Sequence, residues 1–584
     1  MRKLSRREAL KLMAGISAAG LLAACGKKVE ETPVATEATE AEPTVEEVVE
    51  VTEEVAEATA ATEGTVCEQD WVTTYPPAPK KYDPPVEIEI EFERFPEYPE
   101  GDDATNNPKY NWIKENMGIV YTMHWLADRD TDVFTQKRNA DIAAGTMADR
   151  LGTGGSELAD MIANDAVEEI RAIWEATASP LVKEKRKYPD GKNWIPCWRG
   201  DKLYGIPFQW GGDGNVDSIG FVRKDWLDKV GLPIPETIED VDRTLRAWKQ
   251  AGLCDYGLNA ANDLFTWNHR LDVIFGAFGH MPRAWRDLGD GKLVYDSLHE
   301  DNKKALQLLR DWYAEGFMHP DFYTYAPWDA NTVFTEQKTG LTYCPWWMSG
   351  TMRDLEKTYE GAEVANCGAP KGPDGLQGRL MTGTIGNAIV YRAGLDPIKI
   401  EASINELNWQ TELLVNGPEK YGCYSDMTVE GYDWEWDADC NIIPGKYSTS
   451  NLNRSVGWNF DYISYPDSIK DGNAPLLKWA EADPATLNKY QRYMVSDPGT
   501  VKAAAIYNEV MNTMNVAIMN EWIGVPTERM VQLGPDMPNE AQMEIDIIIG
   551  NADMDAWDQW VEDWHTFGGD EMAEDINAWY DTVK

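Results

Sequence analysis

Four segments carry aromatic rings, three of them beside amides or carboxylates, where no helical periodicity explains them. They are Gln209-Trp210-Gly211-Gly212-Asp213, Trp267-Asn268-His269-Arg270, Trp346-Trp347 and Tyr432-Asp433-Trp434-Glu435-Trp436. A flat ring covers a weakly apolar face while amides and carboxylates take a polar edge, which is the chemistry of recognition, not of bond-making. The same rings can hold an ammonium group through cation–π attraction. Two backbone features join them: the loop Arg94-Phe95 after the first predicted strand, and the glycine turn Gly152-Thr153-Gly154-Gly155, with Arg94 and Gly154 the candidate contacts. Motifs that make or break bonds are missing: there is no P-loop, no G-x-S-x-G elbow and no H-E-x-x-H. Two carboxylates spaced for glycosidic hydrolysis can always be found among 99 acids, so counting alone leaves a glycoside hydrolase open.

No metal or cofactor is expected. Six His leave little material for a multi-histidine centre, and the cysteines contain no C-x-x-C pair. Asp128-Arg129-Asp130-Thr131-Asp132 alternates acids but lacks Gly at the sixth and Glu at the twelfth position of a calcium loop, and reads as an acidic surface loop. Seven cysteines follow Cys25; of these, Cys423 and Cys440 flank the Tyr/Asp/Trp-rich loop and are the expected local disulfide.

The elements that must position these residues alternate. Val86–Phe92 has strict period-two alternation, a strand with one polar face, and Ile119–Trp125 reads as a second. A third short strand is expected to end the stretch Ile142–Leu151, ahead of the glycine turn and a helix around Ala166–Ala176. Helices follow over Ile238–Gln250 and Asn302–Ala314, with two more at the C-terminus. Strands alternating with helices predict an α/β fold with parallel sheets built from βαβ units. Trp557, Trp560 and Trp564 form a helical stripe and, like Trp226 and Trp248, are assigned to packing.

Charge divides the 584-residue chain three ways. Its formal net charge is −45: residues 1–26 carry +4, residues 27–64 carry −10 and the rest −39. So acidic a body repels phosphate polymers and excludes nucleic acid as a partner. Ser5-Arg6-Arg7-Glu8-Ala9-Leu10-Lys11 resembles the twin-arginine export motif, although Ala9 replaces its usual Phe and leaves Sec export open. Leu22-Ala23-Ala24-Cys25-Gly26 resembles the lipobox of bacterial lipoproteins, implying cleavage before Cys25 and lipidation of its thiol. More than one acyl chain on Cys25 would anchor the chain stably to a bilayer. Residues 1–25 are thus expected to be a lipoprotein signal peptide, and residues 26–82 a disordered acidic tether.

Three segments then carry a family resemblance: Asp201-Lys202-Leu203-Tyr204-Gly205-Ile206-Pro207-Phe208, Gly220–Leu232 and Pro235-Glu236-Thr237-Ile238-Glu239-Asp240. Together with Ala143–Asp149, Trp564–Asp570 and Ile576–Tyr580 they resemble, in order, the extracellular solute-binding proteins of ABC importers, in the long lipoprotein branch of the oligosaccharide type. The resemblance covers residues 83–584. It implies a two-lobed periplasmic-binding-protein-like α/β fold, with lobe 1 about 83–210 and 380–455 and lobe 2 about 215–375 and 456–584. It implies an oligosaccharide ligand in the interlobe cleft, ABC permease subunits as partners, an extracytoplasmic location, a monomer, and no catalysis. Relatives often place a stacking aromatic where Trp346 and Trp347 follow the strand Leu341–Tyr343. Many also carry a calcium loop where this chain has Lys249–Leu258, a stretch with one acid, so the structural calcium is expected to be absent. The alternative cargo is a peptide, a polyamine or another cation, which the acidic body would attract.

Overall fold

A computed structural model describes residues 67–71, 75–93, 101–103, 105–127, 132–187, 192–208, 219–381, 387–421, 430–431, 434–444, 468–496, 498–512 and 516–583. Cys25, Arg94, Phe95, Gln209, Trp210, Asp213, Cys423, Tyr432 and Asp433 lie outside these residues, as does the side chain of Trp347. No helix among the described residues is long and apolar enough to cross a membrane.

The first lobe is a five-stranded sheet ordered Ile119–Ala127, Val86–Glu93, Arg150–Gly154, Asn387–Tyr391 and Ile206–Pro207. The first three strands are parallel, as βαβ alternation requires, while Asn387–Tyr391 runs antiparallel to both its neighbours. Val86, Ile88 and Ile90 point into a core with Ile113, Met117 and Trp409, following the sequence alternation. The polar face of this strand is covered at one position. Glu91 has only 6% of its side chain exposed and pairs with Arg138 of the helix Asp132–Ala144. The helix Pro397–Asn416 packs beneath the sheet and buries residues on every side, which explains its weak amphipathic pattern.

Lobe 2 departs from the expected parallel sheet. Its strands Leu341–Cys344 and Val364–Cys367 flank Ile219–Arg223 and both run antiparallel to it. The two outer strands share one direction but never touch, so βαβ-like spacing arises without parallel pairing. The core around this sheet holds Trp226, Trp248, Trp312 and Trp557, with Trp560 and Trp564 buried in an adjoining cluster. The packing assigned to the helical tryptophans is therefore what the structure shows.

Three expected boundaries shift. The tether does not extend to residue 82: Trp71 is buried, Trp409 Nε1 donates to the Pro76 carbonyl, and Cys67 forms a disulfide with Cys440, which displaces the expected Cys423–Cys440 pair. Trp71 then packs with Trp434, Trp479 and Tyr490, and the helix Ser468–Ala480 packs against both Pro397–Asn416 and Pro498–Asn512, so this stretch touches both lobes. Conversely Arg379–Met381 pairs with Ala517–Met519, and the Leu380 amide donates to Asp272, so lobe 1 resumes at Asn387 rather than 380. The expected helix around Ala166–Ala176 is also divided. A helix starts at Gly155, which takes the left-handed φ of +55° in open space, and ends at Ala163; a second covers Arg171–Thr177.

Candidate functional site

Strand register shows which ends of the two sheets face the connections between them. The chain leaves lobe 1 after Phe208 and enters lobe 2 at Ile219; it returns between Met381 and Asn387. Asn387 lies opposite Gly154, and Phe208 donates its amide to the Asn387 carbonyl. On the far sheet Ile219 lies opposite Cys344, and Gly220 opposite Cys367. The edge of lobe 1 at Gly154 and the edge of lobe 2 at Cys344 therefore flank the same crossings.

On lobe 1, Gly154 ends its strand and stands at the N-terminus of the helix Gly155–Ala163, where unpaired amides favour hydrogen-bond acceptors. Thr153 donates its hydroxyl to Glu157 at 2.5 Å in the first turn of that helix. Glu91 lies close enough to feel Glu157: burial pushes its carboxyl up, Arg138 pulls it back down, and the Glu157 charge raises it again. Arg138 Nε donates to Glu91 Oε2 at 3.1 Å, which leaves Glu157 without an ion pair among the described residues.

On lobe 2, Trp346 opens a single turn directly after Leu341–Cys344. It is half-buried and meets Tyr507 of the helix Pro498–Asn512 edge-on, with centroids 5.4 Å apart. Beside Tyr343 runs a second aromatic loop, held by the Arg270 amide donating to the Tyr343 carbonyl. Trp267 on this loop is 37% exposed, and its ring meets Trp328, 58% exposed, edge-on at 4.9 Å. Two large rings left open to solvent at a sheet edge are unusual, because indole surface ordinarily packs away.

The support beneath these rings is polar and fully buried. His269, with a φ of +55°, donates from Nε2 to Asn331 Oδ1 at 2.6 Å and accepts at Nδ1 from Thr342 at 2.7 Å and Asn259 at 3.1 Å. Burial pushes its imidazole down to about 4, so it stays neutral and locks this tautomer. Asn268 donates to the Pro327 carbonyl and to Asn331, both at 3.3 Å, tying the Trp267 loop to the Trp328 loop. Asp263 anchors the start of the same loop to Arg283, which also donates to Glu544; burial pushes the Glu544 carboxyl up to about 8 against the pull of Arg283.

The structure sorts the sequence candidates accordingly. Gly154 and Trp346 follow the strand ends that flank the crossings, and Trp267 stands on the loop that the Arg270 amide ties to Tyr343. Asn268 does not face solvent; it is buried and positions the rings. Trp434 is 2% exposed and packs at 5.2 Å from Trp71, while Trp436 joins the same cluster with Lys489 over its ring. Both sit on a hairpin with Ile442–Pro444, so the alternating aromatics mark a packed strand and not a cleft rim. Trp328 and Glu157 were not anticipated. Trp328 follows Pro327 in a loop, and the criterion applied to Trp267 would have found it; Glu157 gave no signal before its helix start was known.

No protein-family model matches the chain. It is 26% identical over 199 residues to the polygalacturonan/rhamnogalacturonan-binding protein YtcQ of Bacillus subtilis, covering 32% of this chain and 37% of that one. It is 24% identical over 289 residues to the fructooligosaccharide ABC transporter substrate-binding protein FusA of Streptococcus pneumoniae, covering 44% and 49%. The chain thus matches under half the length of each of these two curated relatives. Among solved structures, the alginate-binding protein AlgQ2 without calcium superposes with a TM-score of 0.57 at 15% identity, over 87% of this chain and 100% of that one. The fold is the two-lobed α/β architecture of the solute-binding proteins.

Proposed function

We propose that this chain is a non-catalytic, extracytoplasmic solute-binding protein of an ABC importer that captures an oligosaccharide between its lobes and delivers it to a membrane permease. The observation that carries this reading is the exposed Trp267–Trp328 pair, on loops that the Arg270 amide ties to the lobe 2 strand at Tyr343. Sugar rings offer C–H faces to such platforms and hydroxyl edges to Glu157, Thr153 and the amides at Gly154. Arg94, Gln209, Trp210, Asp213 and Trp347 complete the proposed contacts. Binding is hinge closure: a ligand that touches both edges only when they approach shifts the population to the closed form, which the permease reads. Lipidation of Cys25 holds the body at the outer face of the membrane. No step needs a catalytic group.

The relatives named above bind acidic and neutral polysaccharides by name. For this chain the unpaired Glu157 and the −39 body favour a neutral sugar over a uronate. The same charge supports a second reading, a cationic cargo held over the indole faces. Native mass spectrometry of the purified full chain separates them: a retained neutral saccharide mass supports the first reading, a retained polyamine or peptide the second.

A further inference from the structure

Away from the crossings, one group of side chains has the composition of a metal site. Among the described residues, His280, His299 and Asp301 bring three ligand atoms within 4.8 Å of one another. His280 follows the short helix Asp272–Gly276, while His299 and Asp301 stand between the turn Asp296–Leu298 and the helix Asn302–Ala314. The two imidazoles stack at 3.5 Å with 16° between planes.

A buried carboxylate orients the first ligand. Asp296 is fully buried and accepts from His280 Nδ1 at 2.7 Å, from the Met281 amide at 2.7 Å and from Arg286 at 2.5 Å. An ionised Asp296 makes His280 Nδ1 the donor and leaves the Nε2 lone pair free, the arrangement by which carboxylates orient metal-binding histidines. The other two ligands can adjust. His299 takes only a 3.2 Å bond from the Asp301 amide, and the Asp301–Lys304 pair at 2.9 Å is an exposed contact that a dication outcompetes.

We propose that His280, His299 and Asp301 form a three-ligand site for a borderline divalent transition metal of the zinc class, with water completing the coordination. Two imidazoles and one carboxylate suit zinc, cobalt or nickel, whereas calcium and magnesium need more oxygen ligands than are present. The site joins two segments of lobe 2 close to the second crossing. A Cβ on Gly276 would sit 2.1 Å from the Gly378 carbonyl, so the His280 segment packs backbone to backbone against the stretch leading into Arg379–Met381. Bound metal therefore stiffens the shoulder from which the chain returns to lobe 1.

The test uses the full chain, stripped with chelator and titrated with Zn2+ by calorimetry and with Co2+ by visible absorption. One saturating equivalent is expected. His280→Ala and His299→Ala should each weaken it by more than about 10-fold, and Asp296→Asn, which keeps all three ligands, by about 10-fold as outer-shell substitutions do. Circular dichroism of each variant confirms folding. Absence of saturable binding, binding unchanged in folded His299→Ala, or displacement of Zn2+ by equimolar Ca2+ would each overturn the assignment.

Discussion

Trp267 and Trp328 are the residues on which the binding reading can fail most cleanly, because both rings are exposed. Replacing either with Ala should weaken oligosaccharide binding by about 2 kcal/mol, near 30-fold, as loss of an aromatic anchor does elsewhere. Calorimetry with an unchanged thermal midpoint is the check; unchanged affinity in both variants removes the platform. His269, one position away, makes a pH prediction. Its folded value of about 4 lies below the ordinary 6.5, so the unfolded chain takes up a proton that the fold refuses. Stability from this group is whole above pH 6.5 and drains as pH falls toward 4. His269→Gln should lose less unfolding free energy between pH 7 and pH 5 than the parent, measured by urea denaturation at both values. Sequence reading reached Trp267 because no helical period explained it. It misassigned Trp434 on the same criterion, because packing against Trp71, 363 positions earlier, leaves no local trace.

At the scale of elements, local patterns held where local forces decide. The helices Ile238–Ala251 and Asn302–Ala314 appear close to their expected bounds; the first is closed by a Thr237–Asp240 capping box and Gly252 at its end. Pairing direction in lobe 2 was not legible, since period-two alternation is blind to whether a neighbour runs parallel or antiparallel. The disulfide was misread for a related reason: nearness in sequence favoured Cys423, whereas the fold brings Cys67 across 373 positions to Cys440. Cys440→Ser should therefore loosen the Trp71–Trp434–Tyr490 cluster by about 2–4 kcal/mol. Limited proteolysis should then cut near residues 67–71 while sugar affinity stays within about two-fold, because the cluster lies apart from the Trp267–Trp328 platform. A matched loss of affinity would show that the cluster shapes the site.

For the whole molecule, the two-lobed architecture was legible through an ordered set of weak motifs, and the boundaries within it were not. The segment 468–496 reaches the lobe 1 side, as well as the helix Pro498–Asn512, through tryptophan packing that no linear pattern announces. Hinge closure predicts that saturating ligand lowers the radius of gyration of the full chain in solution scattering, and that Trp346→Ala needs more ligand to reach the same compact state. Charge sets the remaining expectation, since Glu157, which has no ion pair among the described residues, on a −39 body discourages anionic cargo. The most direct measurement is calorimetric titration of the full chain, at fixed salt, with neutral oligosaccharides, oligouronates and polyamines in parallel. Saturable one-to-one binding, tightest for a neutral oligosaccharide that is recovered uncleaved, is the predicted result. Preference for the uronates, binding of polyamines alone, or cleavage of the sugar would contradict it.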